Sequence, residues 1–181
     1  MKEKTVFLML MIFASFAFAQ TPKQPSPESA PAMELKPLAE LLGWLAGQWE
    51  GEGVMSGDQE FIGTMKGSHE LDDQAIVLMR ESMSKTGGQA GGRKEIMVIG
   101  YEGTTKKIVM TLHTSNNFIG IYTGELKDHE ILFTLATNQQ GYVDRRSFKL
   151  LPDGGMSFII ERASPGKNVS KFAEINFKKK A

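Results

Sequence analysis

Hydrophobic positions along this chain change period once. Over 34–46, Leu35, Leu38, Leu41, Leu42 and Leu45 recur at spacings of three and four, which predicts one apolar stripe on a short helix. Pro37 suits its first turn, and Gly43 and Gly47 keep it short. From Trp49 onward the period is two. The alternation predicts ten strands, over 48–56, 59–71, 75–84, 94–102, 106–114, 117–126, 130–137, 142–151, 155–163 and 170–178. Turn-capable residues separate them, among them Ser56-Gly57-Asp58, Asp72-Asp73, Ser115-Asn116, Lys127-Asp128, Pro152-Asp153-Gly154-Gly155 and Pro165-Gly166. Connections this short force antiparallel neighbours. A meander of this length removes its exposed edges most simply by closing on itself. The expected fold is therefore all-β: a single antiparallel meander closed into a barrel of about ten strands, with a short N-terminal helix plugging one end.

The same alternation assigns inward faces. Phe61, Met65, His69 and Leu71 share one face of 59–71, and Ile108, Met110 and Leu112 share one face of 106–114. Further along, Ile131 groups with Phe133 and Leu135, Arg146 with Phe148 and Leu150, Met156 with Phe158 and Ile160, and Ile175 with Phe177. Strands 75–84 and 94–102 are apolar on both faces, so the pattern does not orient them.

The first nineteen residues stand outside this scheme. Lys2 and Lys4 precede an apolar run, and Ala17-Phe18-Ala19 is a small-x-small site before Gln20, the three parts of a secretory signal peptide. The apolar run is shorter than the ~20 residues a membrane span needs. Residues 20–33 are rich in Pro, interspersed with Ser and Gln, and read as a disordered linker, which leaves 34–181 as one barrel domain. The expected location is the periplasm or the extracellular space. No Cys is present, so the domain rests on its core without disulfides and has no thiol chemistry. Lys plus Arg and Asp plus Glu both number 21, and this balance gives no electrostatic case for nucleic acid or an anionic membrane.

The run Leu45-Ala46-Gly47-Gln48-Trp49-Glu50-Gly51-Glu52-Gly53, together with the meander and Gly100-Tyr101-Glu102 at a strand end, resembles a bacterial family of unknown function with a lipocalin-like barrel, related in form to fatty-acid-binding proteins and nitrobindins. Its members often open with a Leu-x-Gly-x-Trp-x-Gly-x-Gly pattern and carry a Gly-Tyr-Asp element, met here as Gly-Tyr-Glu. The resemblance covers about 35–178 and implies a barrel that holds a small molecule. Nitrobindin-type barrels share the opening but bind haem through a His near the C-terminal strand, and Ser170 to Phe177 contains no His.

Candidate chemistry is sparse. Of the three His, only His69 falls on an apolar face, as a neutral haem or metal ligand or as a core His bonded to a neighbour. No ligand spacing for zinc is present, and no catalytic motif, so neither a metal nor a cofactor is expected. Arg146 lies on an apolar face, where an unpaired guanidinium is costly. It is either a clamp for a ligand carboxylate, a structural ion pair with Glu161 or Glu81, or a rim residue; Arg80, beside Ile76 and Leu78, poses the same choice. With Arg146, Arg80 or His69 at the polar end, Phe133, Phe158 and Met110 would line an apolar tail. Trp49, Gly47 and Gly51 are assigned structural roles, Trp49 as a plug under the barrel floor. The leading expectation is non-covalent binding of a small lipophilic or amphipathic ligand. A haem-dependent or isomerase-like barrel enzyme and an interaction module with a packed barrel are the alternatives.

Overall fold

The computed structural model describes residues 36–86, 92–136 and 141–180. The segments expected to be a signal peptide and a linker, and parts of the 86–92 and 138–141 connections, lie outside these residues. One five-residue helix, α1 (Leu38–Leu42), runs into a 3-10 turn (Gly43–Leu45) and then into ten strands. These are β1 (Gly47–Met55), β2 (Gln59–Glu70), β3 (Ala75–Ser84), β4 (Arg93–Tyr101), β5 (Ile108–Thr114), β6 (Ile119–Lys127), β7 (Glu130–Leu135), β8 (Val143–Leu150), β9 (Met156–Ala163) and β10 (Ser170–Lys179). Each strand pairs antiparallel with the next, and β1 pairs with β10 from Trp49↔Lys179 to Met55↔Ala173, so the barrel is closed.

The regular helix is shorter than the apolar stripe predicts. Gly43 tightens the turn, and Pro37 occupies the cap position without a side-chain hydrogen bond. Leu38, Leu42 and Leu45 are nonetheless fully buried and close one end of the barrel. Trp49 Nε1 donates to Leu45 O at 3.2 Å, and Tyr101 OH donates to Lys36 O at 3.0 Å, which ties the helix to β1 and β4. Trp49 is buried, as a floor plug should be.

Gly47 and Gly51 act through geometry. Gly47 has φ +118°, a conformation that glycine alone adopts freely, and a Cβ there would meet Lys179 Cε at 2.6 Å. A Cβ at Gly51 would sit 2.9 Å from Phe177 Cα and closer still to Asn176 O. The first strand can therefore lie tight against β10 and let Phe177 and Ile175 fill the interior beneath it.

Inward faces follow the alternation almost throughout. Leu71 is the exception: it leaves β2 for a turn at φ +53° and is 77% exposed. The two strands without a legible orientation are now assigned. Ile76, Leu78, Arg80 and Ser82 of β3 point inward, as do Glu95, Met97 and Ile99 of β4. Their second apolar faces form an outer band, in which Met79 pairs with Ile96 and Val77 with Val98; Thr111 and His113 of β5 separate it from Ile119 and Ile121 of β6.

Between the helix and mid-barrel the core is dense. Met110, Leu112, Ile131, Phe133, Phe148 and Phe158 are buried. Phe148 stacks obliquely on Phe158 at 4.5 Å between centroids and meets Phe133 edge-on at 6.3 Å.

Candidate functional site

Above this aromatic layer, toward the end opposite the helix, the interior turns ionic. Arg80 and Glu95 are cross-strand partners on β3 and β4. Arg80 Nε and Nη2 both converge on Glu95 Oε2, at 2.8 and 2.7 Å. Arg146 Nη1 reaches the two oxygens of Glu95 at 3.3 and 3.2 Å from the far side of the barrel. Arg93 Nε lies 3.0 Å from Glu95 Oε1, an ion-pair contact outside hydrogen-bond geometry.

A second carboxylate extends the network. Asp144 Oδ1 accepts from Arg146 Nε at 3.2 Å and from Tyr122 OH at 3.0 Å, and Asp144 Oδ2 accepts from Arg162 Nε at 2.9 Å. Arg80 lies over the Phe158 ring at 5.1 Å and Arg146 over Tyr122 at 5.7 Å, so the ionic layer rests on aromatic faces.

Protonation follows from this arrangement. Burial alone would raise the Glu95 pKa, but Arg80, Arg146 and Arg93 outweigh it and hold the carboxyl at about 2. Burial pushes the Tyr122 hydroxyl up to about 12, so it stays a neutral donor. Burial opposes the charge on Arg146, yet Glu95 and Asp144 more than compensate and its pKa is raised.

Over the ionic layer, at the same end of the barrel, lies a cavity of about 1010 Å³. Phe118, Leu135, Val143 and Phe172 give it apolar walls, and Arg93, Asp144 and Arg162 bring polar groups to it. Phe172 reaches it through a β-bulge: the β9–β10 register shifts between Lys171 and Ala173, so Phe172 has no partner on β9. Simple alternation after Ala173, Ile175 and Phe177 would turn Phe172 outward; the extra residue of the bulge brings it to the rim. There the Arg162 guanidinium stacks on its ring at 4.1 Å.

The residues singled out from sequence fall in three places. Arg80 and Arg146 belong to the ionic layer, with Glu95 and Asp144 as partners instead of Glu161 or Glu81; Glu81 pairs with Lys94 on the outside. Phe133, Phe158 and Met110 form the packed layer below the cavity. His69 sits at the opposite, helix-plugged end, where its Nδ1 is 3.5 Å from Asp73 Oδ1. None of these six lines the cavity at the mouth.

Glu95, Asp144, Tyr122, Arg162 and Phe172 are not singled out by the sequence pattern. Glu95 stands at the end of a strand that is apolar on both faces, where nothing marks it as inward. Asp144 is legible only as the residue two before Arg146, the spacing that places two side chains on one strand face. Among the described residues no three His, Asp or Glu side chains gather where they could hold a metal ion.

No protein-family model matches the chain, and no curated protein matches its sequence. Solved structures resemble it. The crystal structure of Rv2717c from M. tuberculosis superposes with a TM-score of 0.56 at 14% identity, over 82% of this chain and all of that one. A de novo designed fluorescence-activating β-barrel aligns with a TM-score of 0.40 at 12% identity, over 81% of this chain and all of that one. At such identities the first likeness speaks for the barrel fold alone.

Proposed function

We propose that this protein binds a small amphipathic molecule at the open end of its barrel. The observation that carries the reading is the cavity of about 1010 Å³ with apolar walls and guanidinium groups at its floor and side. Its size suits a drug-sized ligand, and barrel mouths are recurrent ligand sites. The acidic or polar end of the ligand faces Arg93 and Arg162, and the apolar body packs on Phe118, Leu135 and Phe172. Arg146 and Arg80 act from below, by fixing Glu95 and through it the position of Arg93. The signal-peptide pattern adds that this binding takes place outside the cytoplasm.

Native mass spectrometry of gently purified protein tests the reading, paired with titration of N-phenyl-1-naphthylamine, a neutral apolar fluorophore. Binding is expected with saturable fluorescence, weakened by Phe172→Ala. No co-purified molecule together with no saturable fluorescence would overturn it.

One observation favours the interaction module as a second reading. Met79, Ile96 and Val98 are exposed on the outer faces of the paired strands β3 and β4, and Ile119 and Ile121 on β6 beyond Thr111 and His113 of β5; clustered exposed apolar side chains often mark a docking face. Under that reading the barrel interior is scaffold, and neither assay above gives a signal.

A further inference from the structure

The chemistry of the mouth narrows the ligand class, on the premise that the cavity is a binding site. We infer that it is built for a compact planar aromatic oxyanion, such as an aryl carboxylate, and not for a long-chain acyl group.

The charge count argues for an anion. Four guanidinium groups, Arg80, Arg93, Arg146 and Arg162, share two carboxylates, Glu95 and Asp144, which leaves the cluster two positive charges in excess. Arg146 is fully buried, and its Nη2 has no hydrogen-bond partner among the described residues. Arg93 and Arg162 each meet their carboxylate most closely through Nε, at 3.0 and 2.9 Å. Both side chains are roughly two-thirds buried or more, and both border the cavity. Uncompensated positive charge in a partly desolvated barrel end favours an anion strongly, because low-dielectric walls focus the field. A pair of forked donors suits a flat oxyanion better than a single point charge does.

The floor argues against a long tail. Directly below the ionic layer Phe133, Phe148, Phe158 and Met110 are at most 1% exposed, so the interior offers no path for an extended chain. A fatty acid whose head met the guanidinium groups would have to turn its tail back through the mouth. The walls argue for a ring. Phe118, Tyr142 and Phe172 gather aromatic surface at the rim, and the Arg162–Phe172 stack already presents a plane of the kind an aromatic ligand would extend.

Isothermal titration with three probes separates the possibilities: 2-naphthoate, its neutral counterpart 2-naphthalenemethanol, and palmitate. Naphthoate is expected to bind about ten- to a hundred-fold more tightly than the alcohol, the span of one or two charge-assisted hydrogen bonds. Arg162→Met should abolish most of that preference, and Lys94→Met, on the outer face, should change the affinity for neither probe. If Arg162→Met does not fold, Phe118→Ala, outside the ionic cluster, should weaken naphthoate several-fold in a folded protein. Equal affinity for acid and alcohol overturns the oxyanion inference. Palmitate binding more tightly than naphthoate overturns the aromatic inference and leaves the wider ligand-binding proposal standing. Failure of all three probes overturns both.

Discussion

Glu95→Gln tests the central claim about how this barrel holds its charges. The substitution keeps shape and removes one negative charge at the point where Arg80 and Arg146 converge, both of them almost completely buried. Two estimates of the loss agree. Removing one partner of a buried ion pair strands the other and costs about 3–5 kcal/mol. Separately, a carboxyl held at about 2 instead of 4.5 is worth about 3 kcal/mol when each pKa unit is worth about 1.4 kcal/mol. Against a typical domain stability of about 5–15 kcal/mol, either figure is a large fraction.

The pH dependence fixes the mechanism. Because folding lowers the Glu95 pKa, the unfolded chain takes up this proton first as pH falls. The stabilisation is thus complete above the unfolded value, near 4.5, and is lost as pH falls towards about 2. Urea denaturation of wild type and Glu95→Gln across pH 7 to 2 should show a gap of about 3 kcal/mol that closes in this window, since a protonated Glu resembles Gln. A gap under ~1 kcal/mol at pH 7, or one that persists unchanged to pH 2, would refute the assignment of Glu95 as the charge hub.

Trp49→Ala should cost about 3–5 kcal/mol in the same denaturation assay, as truncations of large buried aromatics do, and a loss under ~1 kcal/mol would contradict its place at the floor. Gly51→Ala should destabilise by about 1–3 kcal/mol, because a Cβ there collides with the β10 backbone; a neutral result would show that β1 and β10 can separate at no cost. Haem titration should give no one-to-one complex, since His69 is at the plugged end beside Asp73 and His113 and His129 are exposed; a stoichiometric five- or six-coordinate spectrum that disappears in His69→Ala would reverse this. N-terminal sequencing of exported protein should begin at Gln20, and a start at Met1 would remove the signal-peptide reading.

The fold is legible in the sequence because period-two alternation and turn residues are local signals, repeated ten times and mutually consistent. Arg146 is recognisable as inward-facing for the same reason. Arg80, on a strand apolar on both faces, is not, and neither are their partners. Glu95 lies on β4, where Ile96 and Val98 are apolar and yet face out, so the alternation that would expose an inward acid is flattened. Phe172 escapes detection differently: a bulge shifts the side-chain phase by one residue, and the sequence around it carries no glycine or proline to announce the shift. The site therefore hides in departures from regularity, while the scaffold shows itself through regularity.

The closing ladder between β1 and β10 sets the order in which this chain can finish folding. Nine of the ten pairings join neighbours in sequence, but Trp49 meets Lys179 across 130 residues (179 − 49). A chain emerging from the ribosome can form hairpin after hairpin and still carry two open edges, on β1 and on β9, until its final strand is released. Loop closure over that span is the slow, entropically costly step, whereas each hairpin forms locally. Any product truncated before Ser170 therefore has most of its sheet and none of its closure, with two unpaired strand edges free to recruit other chains. The last ten strand residues, which contribute little to the mouth beyond Phe172 and Ser170, thus decide between a sealed barrel and an aggregation template.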